Sequence, residues 1–309
     1  MVSVLMPAFK AGYLENAIQS VLNQTVRNFE LIIVNDKSPE DIDSVVDSFN
    51  DARIRYYKNK ENIGKDDPVK NWNHCLSYAT GEYVCLLCDD DEYSPLFLEK
   101  MLGLAKKYPS ANVFRARAKV VNNNGEIVHY YNTISEHLKT EDAIHHFLTG
   151  CLETTISEWM LKRSRMEECD GYFNAPLAWF SDELSMFRFS LKGGICYCDD
   201  CLVSFRASEN NISNNGYRHA QRWLDATNVF EDEMNKIIGG FEVEWSNLLT
   251  GLLDSYISLQ KQRYISFLSL TQFIKVVSHK RRYRLSRKDI AMAVYLFPRN
   301  YALRLKRFK

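Results

Sequence analysis

Tyr83-Val84-Cys85-Leu86-Leu87-Cys88-Asp89-Asp90-Asp91 is an apolar run that ends in three consecutive aspartates. A short apolar run of this kind predicts a buried strand over residues 83–87. Adjacent carboxylates repel one another, and no helix or turn requires all three. A divalent cation would offset the repulsion, because carboxylate oxygens bind Mg²⁺ or Mn²⁺ together with substrate phosphates. A solvated acidic loop is the alternative for the triplet alone, but its position directly after a strand favours a metal site.

Strands and helices alternate on the N-terminal side of this run. The sequence predicts further strands over residues 2–6, 29–34 and 53–57, and helices over about 14–22, 42–49 and 69–79, the last closed by Gly81. Such alternation indicates parallel βαβ units with right-handed crossovers. Residues 1–115 are therefore predicted to form half of a doubly wound, Rossmann-like sheet.

Three polar clusters follow strands of this predicted sheet. They are Pro7 to Lys10, Asn35 to Lys37, and Asp89 to Asp91. In open α/β sheets, ligands bind beyond the carboxyl ends of the strands. The pattern alone therefore predicts a ligand site where these clusters meet.

The remaining chain is predicted to form an acceptor-side half and a helical extension. Residues 116–215 mix short strands, Asn/Gly turns and helices, whereas residues 216–309 are mostly helical in pattern. We predict one catalytic domain over 1–215, with a nucleotide-binding half at 1–115 and an acceptor-side half at 116–215. A helical C-terminal extension with a basic tail is predicted over 216–309.

The charge of the 309-residue chain is balanced overall but not along its length. Lys and Arg number 39, as do Asp and Glu, yet residues 280–309 carry eleven basic side chains against Asp289 alone. A basic end on an acidic body predicts an anionic partner surface, either membrane or nucleic acid. We predict neither a signal peptide nor a membrane span. The eight cysteines are expected to be reduced in a cytoplasm.

An ordered series of motifs carries a family resemblance. Six segments carry it: Val2 to Phe9, Ala17 to Thr25, Phe29 to Ser38, Asn62-Ile63-Gly64, Gly81 to Val84 and Asp89-Asp90-Asp91. In their order and spacing, these segments resemble the family 2 glycosyltransferases with the GT-A fold. The resemblance covers about the first hundred residues. It implies an α/β fold with a Rossmann-like, mixed GT-A central sheet flanked by helices. It also implies an inverting, metal-dependent enzyme that uses nucleoside-diphosphate sugars.

The resemblance implies roles for residues on the donor side. Pro7 and Ala8 would line the base pocket, and Asp36 would accept a hydrogen bond from a pyrimidine ring. Lys65 would approach the nucleotide, and Asp89 would bind the ribose. Asp90 would ligate Mn²⁺ or Mg²⁺, and Asp91 would ligate or support that cation. Asn35, Lys37 and Cys88 depart from the residues usual in the family.

On the acceptor side, the resemblance makes Asp182 the general base that deprotonates the acceptor hydroxyl. Glu183 is its neighbour in the acidic pair, and Trp179 could stack on an acceptor sugar. The alternative for Asp182 is a helix cap, and both roles are compatible. Arg206, with Asn211-Ile212-Ser213, resembles the segment that closes over the diphosphate. Ser181 and Ser208 depart from the family pattern, with Ser208 in place of a frequent His.

These expectations define a function and its alternatives. We expect sugar transfer from a nucleotide sugar to a saccharide or lipid-linked saccharide in bacterial cell-surface polysaccharide or lipopolysaccharide synthesis. UDP is favoured, with dTDP and GDP open. A lipid-linked acceptor gives the basic tail a function at the cytoplasmic face of a membrane, whereas binding to nucleic acid would serve no purpose in this reaction. The alternative for the tail is that it folds back onto the acidic body of the chain as a solvated helix pair. The alternative is a catalytically degenerate scaffold or binding subunit. A dinucleotide oxidoreductase or nucleotidyltransferase is disfavoured, because the turn after the first strand holds one glycine, Gly12.

Overall fold

The computed structural model describes residues 1–207, 220–266 and 268–296. The chain divides into two compact units. The first consists of Met1–Asn174 and Ser181–Ser208, and the second of Ala175–Phe180 and Glu209–Lys309. Asn211 to Ser213 and Ser208, which the sequence places near the diphosphate, lie outside the described residues, as do residues 297–309. The domain boundary after residue 215 stays a prediction.

The first unit begins with the predicted alternation of strands and helices. Its opening elements are β1 (Val2–Ala8), α1 (Leu14–Leu22), β2 (Phe29–Asn35), α2 (Ile42–Asp47), β3 (Ile54–Lys58), α3 (Pro68–Leu76) and β4 (Tyr83–Leu86). β1 pairs in parallel with both β2 and β4, and β2 pairs in parallel with β3. The parallel arrangement that the sequence predicts for these strands is therefore confirmed.

The rest of the first unit completes a mixed sheet. Its elements are β5 (Glu92–Tyr93), α4 (Phe97–Lys107), β6 (Val113–Val121), β7 (Ile127–Tyr130), β8 (His137–Leu138), α5 (Thr140–Leu148), a 3-10 turn (Ile156–Glu158), β9 (Trp159–Lys162), α6 (Arg163–Glu168), α7 (Ser181–Ser190) and β10 (Ile195–Arg206). The strand order is β3-β2-β1-β4-β9-β6-β10-β5, with β7 beside β6 and β8 beside β10. Because β9 runs antiparallel to β4 and β6, the mixed sheet is confirmed.

The core lies between this sheet and its helices. α1 buries one face, formed by Leu14, Ala17, Ile18, Val21 and Leu22. Their spacing of three and four residues puts them on one side of a helix. Each fully buried Leu or Ile contributes about 1.5–3 kcal/mol. The apolar spacing therefore fixes which side of α1 faces the strands and which faces solvent.

Gly81 has a different role from the one predicted. α3 ends at Leu76, so the prediction that Gly81 closes this helix is wrong. The Gly81 amide instead donates to Ser3 Oγ at 2.8 Å. A Cβ at this position would lie 2.7 Å from the Ser3 nitrogen, so only glycine fits without a shift of β1. Gly81 thus allows the turn into β4 to approach β1 closely.

The second unit is mostly helical in its described part, as predicted. It contains α8 (Ala220–Ile238), α9 (Val243–Ser266), α10 (Leu270–Ser278) and a helical stretch at 287–296. Its core includes Trp223, Leu224, Tyr264, Ile265 and Val276. Among the described helices, none combines the length and the apolar character needed to cross a membrane.

Candidate active site

The three polar clusters meet at one edge of the sheet. They follow β1, β2 and β4, which are neighbours and run in the same direction. The Asp36 amide donates to Ala8 O at 3.0 Å. Ser38 Oγ donates to Phe9 O at 2.5 Å, which ties the segment after β2 to the segment after β1. Ala8 is buried and Pro7 half-buried, so the end of β1 forms the floor of this edge.

Asp36 organises the loop that contains Asn62-Ile63-Gly64. Its Oδ1 accepts hydrogen bonds from Asn59 Nδ2 at 2.7 Å and from the Ile63 amide at 2.8 Å. Its Oδ2 accepts from the Gly64 amide at 2.7 Å. A Cβ on Gly64 would lie 2.8 Å from that oxygen, which explains the glycine. Lys65 follows directly and is exposed.

Asp89 fixes the backbone after β1. Its Oδ2 accepts hydrogen bonds from the amides of Phe9 and Lys10, both at 2.7 Å. The side chain is buried. Asp89 therefore joins the end of β4 to the end of β1.

Asp90 is the aspartate of the triplet that forms an ion pair with a lysine, Lys10. Lys10 Nζ lies 2.9 Å from Asp90 Oδ2, and the two side chains are 35% and 10% exposed. Burial lowers the pKa of Lys10, but the adjacent Asp90 carboxylate more than compensates and raises it above its ordinary value. Lys10 is therefore charged at neutral pH and partly neutralises the aspartate triplet.

Asp91 is committed to contacts within the protein. It is completely buried. Its Oδ2 accepts a hydrogen bond from Ser157 Oγ at 2.5 Å, and its Oδ1 accepts one from the Arg206 amide at 2.9 Å. Ser157 Oγ also accepts from the Cys88 amide at 3.2 Å. Asp91 thus fixes the end of β4 against β10 and the 3-10 turn.

The triplet carries more negative charge than its surroundings compensate. Burial, with the neighbouring Asp90 carboxylate, raises the pKa of Asp89 to about 6. The same two causes raise the pKa of Asp91. Lys10 supplies one positive charge, so a further cation would favour ionisation of all three aspartates.

The donor set fits a divalent cation that is held partly by substrate. Mg²⁺ usually binds through one or two carboxylates together with substrate phosphates. Asp90 offers one such carboxylate, while both Asp91 oxygens have protein donors. Within the described ranges there is no group of three or more His, Cys, Asp or Glu that could hold a metal ion alone. A nucleotide diphosphate would therefore have to complete the coordination.

The side chain of Arg206 is hydrogen-bonded to three residues at this end of the sheet. Its Nε donates to Asp90 O at 3.1 Å, one terminal nitrogen donates to Asn122 O at 3.0 Å, and the other lies 2.9 Å from Glu92 Oε1. The side chain is buried, and its guanidinium stacks on Tyr13 at 4.0 Å from the ring centroid. Contact with the diphosphate stays a prediction for Arg206, whereas the contacts described here hold the triplet in place.

Replacing Arg206 with methionine is expected to lower the free energy of unfolding by about 2–3 kcal/mol, the scale of lost hydrogen bonds to a charged group. The Asp90 carbonyl would lose its partner and Glu92 its counter-ion. Urea unfolding followed by circular dichroism measures the change. Arg117→Met is a suitable comparison, since Arg117 Nε donates to the carbonyl of Tyr131 at 2.7 Å and does not contact the triplet through that bond. Equal losses in both variants would contradict a special role for Arg206.

The acidic pair lies in the first turn of α7, where the sequence places it. Burial and the neighbouring Asp182 raise the pKa of Glu183 well above its ordinary value, and Glu183 is hydrogen-bonded to Asp182. Burial therefore favours the neutral form of Glu183. Asp182 lines a small, mostly apolar cavity with Ile156, Trp159, Leu161, Tyr172, Ser185, Met186 and Phe189.

The 3-10 turn connects the surroundings of Asp182 to the triplet. Ile156, which lines the same cavity, belongs to the 3-10 turn whose Ser157 bonds Asp91. The Phe173 amide donates to Ser185 Oγ at 2.8 Å, which anchors α7 one turn after Asp182. The cap alternative for Asp182 and the base role remain compatible with this position.

Trp179 belongs to the second unit and is packed there. Its Nε1 donates to Tyr264 Oη at 2.7 Å, and its ring lies 4.8 Å from that of Trp223 between centroids. Leu177, Ala178 and Phe180 beside it have positive φ of 63°, 58° and 66°. Such backbone is costly for residues other than glycine, so this packing has to hold it in place. Stacking on an acceptor sugar stays a prediction.

The family of the chain follows from comparison with known proteins. Residues 3–169, over half of the chain, match the model described as glycosyl transferase family 2. The chain belongs to glycosyltransferase family 2. The matched residues contain the ends of β1, β2 and β4, and so the whole aspartate triplet of this glycosyltransferase.

Curated relatives resemble this glycosyltransferase over different lengths. The UDP-Glc:α-D-GlcNAc-diphosphoundecaprenol β-1,3-glucosyltransferase WfgD of Escherichia coli is 24% identical over 234 residues, 74% of this chain and 86% of WfgD. The GalNAc(5)-diNAcBac-PP-undecaprenol β-1,3-glucosyltransferase of Campylobacter jejuni is 41% identical over 93 residues, 29% of each chain.

Solved structures confirm the fold of this glycosyltransferase. The crystal structure of residues 1–349 of Staphylococcus aureus TarS superposes with a TM-score of 0.64 at 14% identity, and covers 96% of this chain and 90% of that one. The complex of the same TarS fragment with UDP-GlcNAc gives a TM-score of 0.61 at 15% identity. The predicted GT-A fold is therefore confirmed.

Two residues of this site carry no role in the sequence prediction. Lys10 lies in the polar cluster after β1, but nothing in the sequence indicates that its ammonium pairs with Asp90. Ser157 bonds Asp91 from a turn 66 residues away, and no local motif marks it. Both contacts depend on chain segments that meet only in the folded sheet.

Proposed function

We propose that this enzyme is an inverting transferase that moves a sugar from a UDP-sugar to the hydroxyl of a saccharide, with Mn²⁺ or Mg²⁺ as cofactor. One observation carries the proposal. Asp36, Asp89 and Asp90 stand at the carboxyl ends of neighbouring parallel strands, and the segments that bear them are each hydrogen-bonded to the end of β1 or to Phe9 after it. That edge is where α/β sheets bind nucleotides.

In this proposal each residue at the strand ends has one task. Pro7 and Ala8 border the base pocket. Asp36 holds the loop that precedes Lys65 next to this pocket. Asp89 fixes the backbone after β1 and faces the ribose. Asp90 would hold the cation, which neutralises charge on the departing diphosphate, and Asp91 supports Asp90 from its buried position.

Asp182 would take the proton from the acceptor hydroxyl as that oxygen attacks the anomeric carbon. Because burial favours the neutral form of Glu183, the proposal assigns proton acceptance to the other member of the pair, Asp182. A single in-line displacement with one base inverts the configuration at the anomeric carbon. The apolar lining beside Asp182 keeps water from competing for the sugar.

The relatives support a nucleotide and an acceptor class. TarS was solved with UDP-GlcNAc, and WfgD is named for UDP-Glc and for an acceptor linked to diphosphoundecaprenol. The Campylobacter jejuni relative is also named for a polyprenyl-linked acceptor. We therefore propose a UDP-sugar donor and a lipid-linked saccharide acceptor in bacterial cell-surface polysaccharide or lipopolysaccharide synthesis.

The test is donor hydrolysis and transfer. UDP-, dTDP- and GDP-sugars are incubated with the protein and Mn²⁺, and nucleotide release is measured with and without a polyprenyl-diphosphate saccharide. We expect release from a UDP-sugar that increases with acceptor. A protein that binds nucleotide but releases none from any donor supports the scaffold alternative instead.

We further propose that the C-terminal unit contacts an anionic membrane at the cytoplasmic face. Lys275, Lys280, Arg281, Arg287 and Lys288 are exposed, as are the apolar side chains Leu270, Ile274, Val294 and Tyr295. Part of the basic charge is used internally, because Arg282 pairs with Asp225 at 2.9 Å and Arg284 with Asp232 at 2.7 Å. The exposed set supports salt-sensitive association.

Vesicle co-sedimentation tests this partner. We expect binding to phosphatidylglycerol vesicles that falls with salt, and little binding to phosphatidylcholine vesicles. Lys280→Gln with Arg281→Gln should weaken binding about 30-fold, since each basic group near such a surface contributes about 1 kcal/mol. Lys106→Gln with Lys139→Gln, two exposed lysines of the first unit, is the matched control. Binding that ignores lipid charge and salt contradicts the proposal.

A further inference from the structure

A side-chain cation, that of Lys10, lies beside the aspartate triplet. Lys10 Nζ lies 2.9 Å from Asp90 Oδ2. The guanidinium of Arg206, also nearby, donates to Asp90 O, Asn122 O and Glu92 Oε1. An ammonium has three hydrogens to donate, so Lys10 can contact Asp90 and still donate to a second anion.

Hydrogen bonds fix the backbone at Lys10. Its amide and that of Phe9 both donate to Asp89 Oδ2 at 2.7 Å, and Phe9 O accepts from Ser38 Oγ. The backbone from which the lysine projects is thus fixed on both sides. The Lys10 side chain is 35% exposed and that of Asp90 is 10% exposed. The lysine is therefore the more accessible partner of the pair.

We propose that Lys10 binds the diphosphate of the donor, with its ammonium bridging Asp90 and the phosphate oxygens. This inference rests on the proposed function, because it takes the strand ends as the nucleotide site. An aspartate triplet alone repels a diphosphate, and a tethered ammonium reverses that repulsion locally. The site would then hold a nucleoside diphosphate even without a divalent cation, and the cation would add to that affinity.

Calorimetric binding of nucleoside diphosphates tests the inference. UDP, dTDP and GDP are first compared in Mn²⁺, and the tightest is then titrated in EDTA. We expect wild-type protein to bind in EDTA and Lys10→Met to bind about 10–100-fold more weakly there, the scale of a charged hydrogen bond. In Mn²⁺ the loss should be smaller, because the cation then carries part of the phosphate contact. Lys10→Arg should recover most of the affinity.

The controls separate this inference from the proposed function. Lys106→Met, an exposed lysine on α4, should bind as the wild type does. Melting temperatures establish that each variant is folded. Wild-type binding that requires Mn²⁺, or equal affinities of wild type and Lys10→Met in EDTA, overturns the role of Lys10 and leaves the proposed function intact. Absence of binding by all three nucleotides in Mn²⁺ overturns both.

Discussion

Asp90→Ala is expected to reduce sugar transfer by about 10³-fold or more and to abolish stabilisation by Mn²⁺ with UDP. Asp90 is the carboxylate of the triplet that pairs with a side-chain cation, at 2.9 Å from Lys10 Nζ. Loss of a Lewis acid at the leaving group removes several kcal/mol of charge stabilisation, and each 1.36 kcal/mol is tenfold in rate. Steady-state transfer and thermal shift with Mn²⁺ and UDP measure the two effects.

Two comparisons make this result specific. Asp199→Ala removes an exposed aspartate on β10 and should leave transfer and Mn²⁺ dependence unchanged. Asp91→Asn removes a buried carboxylate that is bonded to Ser157 and Arg206, so it should lower the melting temperature as well as activity. Retention of most of the transfer activity by Asp90→Ala would contradict its assignment as the metal ligand.

The part of the site at the strand ends could be predicted from sequence. β1, β2 and β4 are mostly apolar, and a polar cluster lies at the carboxyl end of each of them. In parallel βαβ units, consecutive strands pair with one direction, so their carboxyl ends meet at one edge. Local patterns thus determine which clusters come together before any contact is known.

The arrangement within the triplet could not be predicted in the same way. Three adjacent aspartates are alike in sequence, but the fold gives them different surroundings. Asp89 accepts backbone amides, Asp90 meets Lys10, and Asp91 is buried on Ser157 and Arg206. These partners come from β1, the 3-10 turn and β10. Only long-range packing, which no local pattern encodes, separates the three roles.

The acceptor side was harder to predict for a related reason. β9 lies antiparallel between β4 and β6, and β10 pairs with β6, β5 and β8. These pairings connect segments far apart in sequence. Residues 175–180 belong to the second unit, although the chain on both sides of them belongs to the first. Trp179 of this segment is hydrogen-bonded to Tyr264 of the second unit. The helical pattern placed Asp182 in the first turn of α7 but gave no information about this packing.

Asp182→Asn is expected to lower sugar transfer by about 10²–10⁴-fold, the usual scale of general-base catalysis. UDP and Mn²⁺ should bind as they do in the wild type. The substitution keeps the size of the side chain and its place in the first turn of α7. It removes the carboxyl group to which we assign the proton of the acceptor hydroxyl. Calorimetric nucleotide binding and steady-state transfer, measured on one preparation, separate the two properties.

Glu183→Gln provides the matched control for this prediction. Burial favours the neutral form of Glu183, and glutamine is a neutral side chain of the same size whose amide can donate to the side chain of Asp182. We therefore expect Glu183→Gln to lose less than about tenfold in transfer, because the side chain of Asp182 is retained. Equal losses of binding and rate in Asp182→Asn would point to a helix cap without a catalytic role. Equal losses of rate in the two variants would instead assign the proton transfer to the pair as a unit.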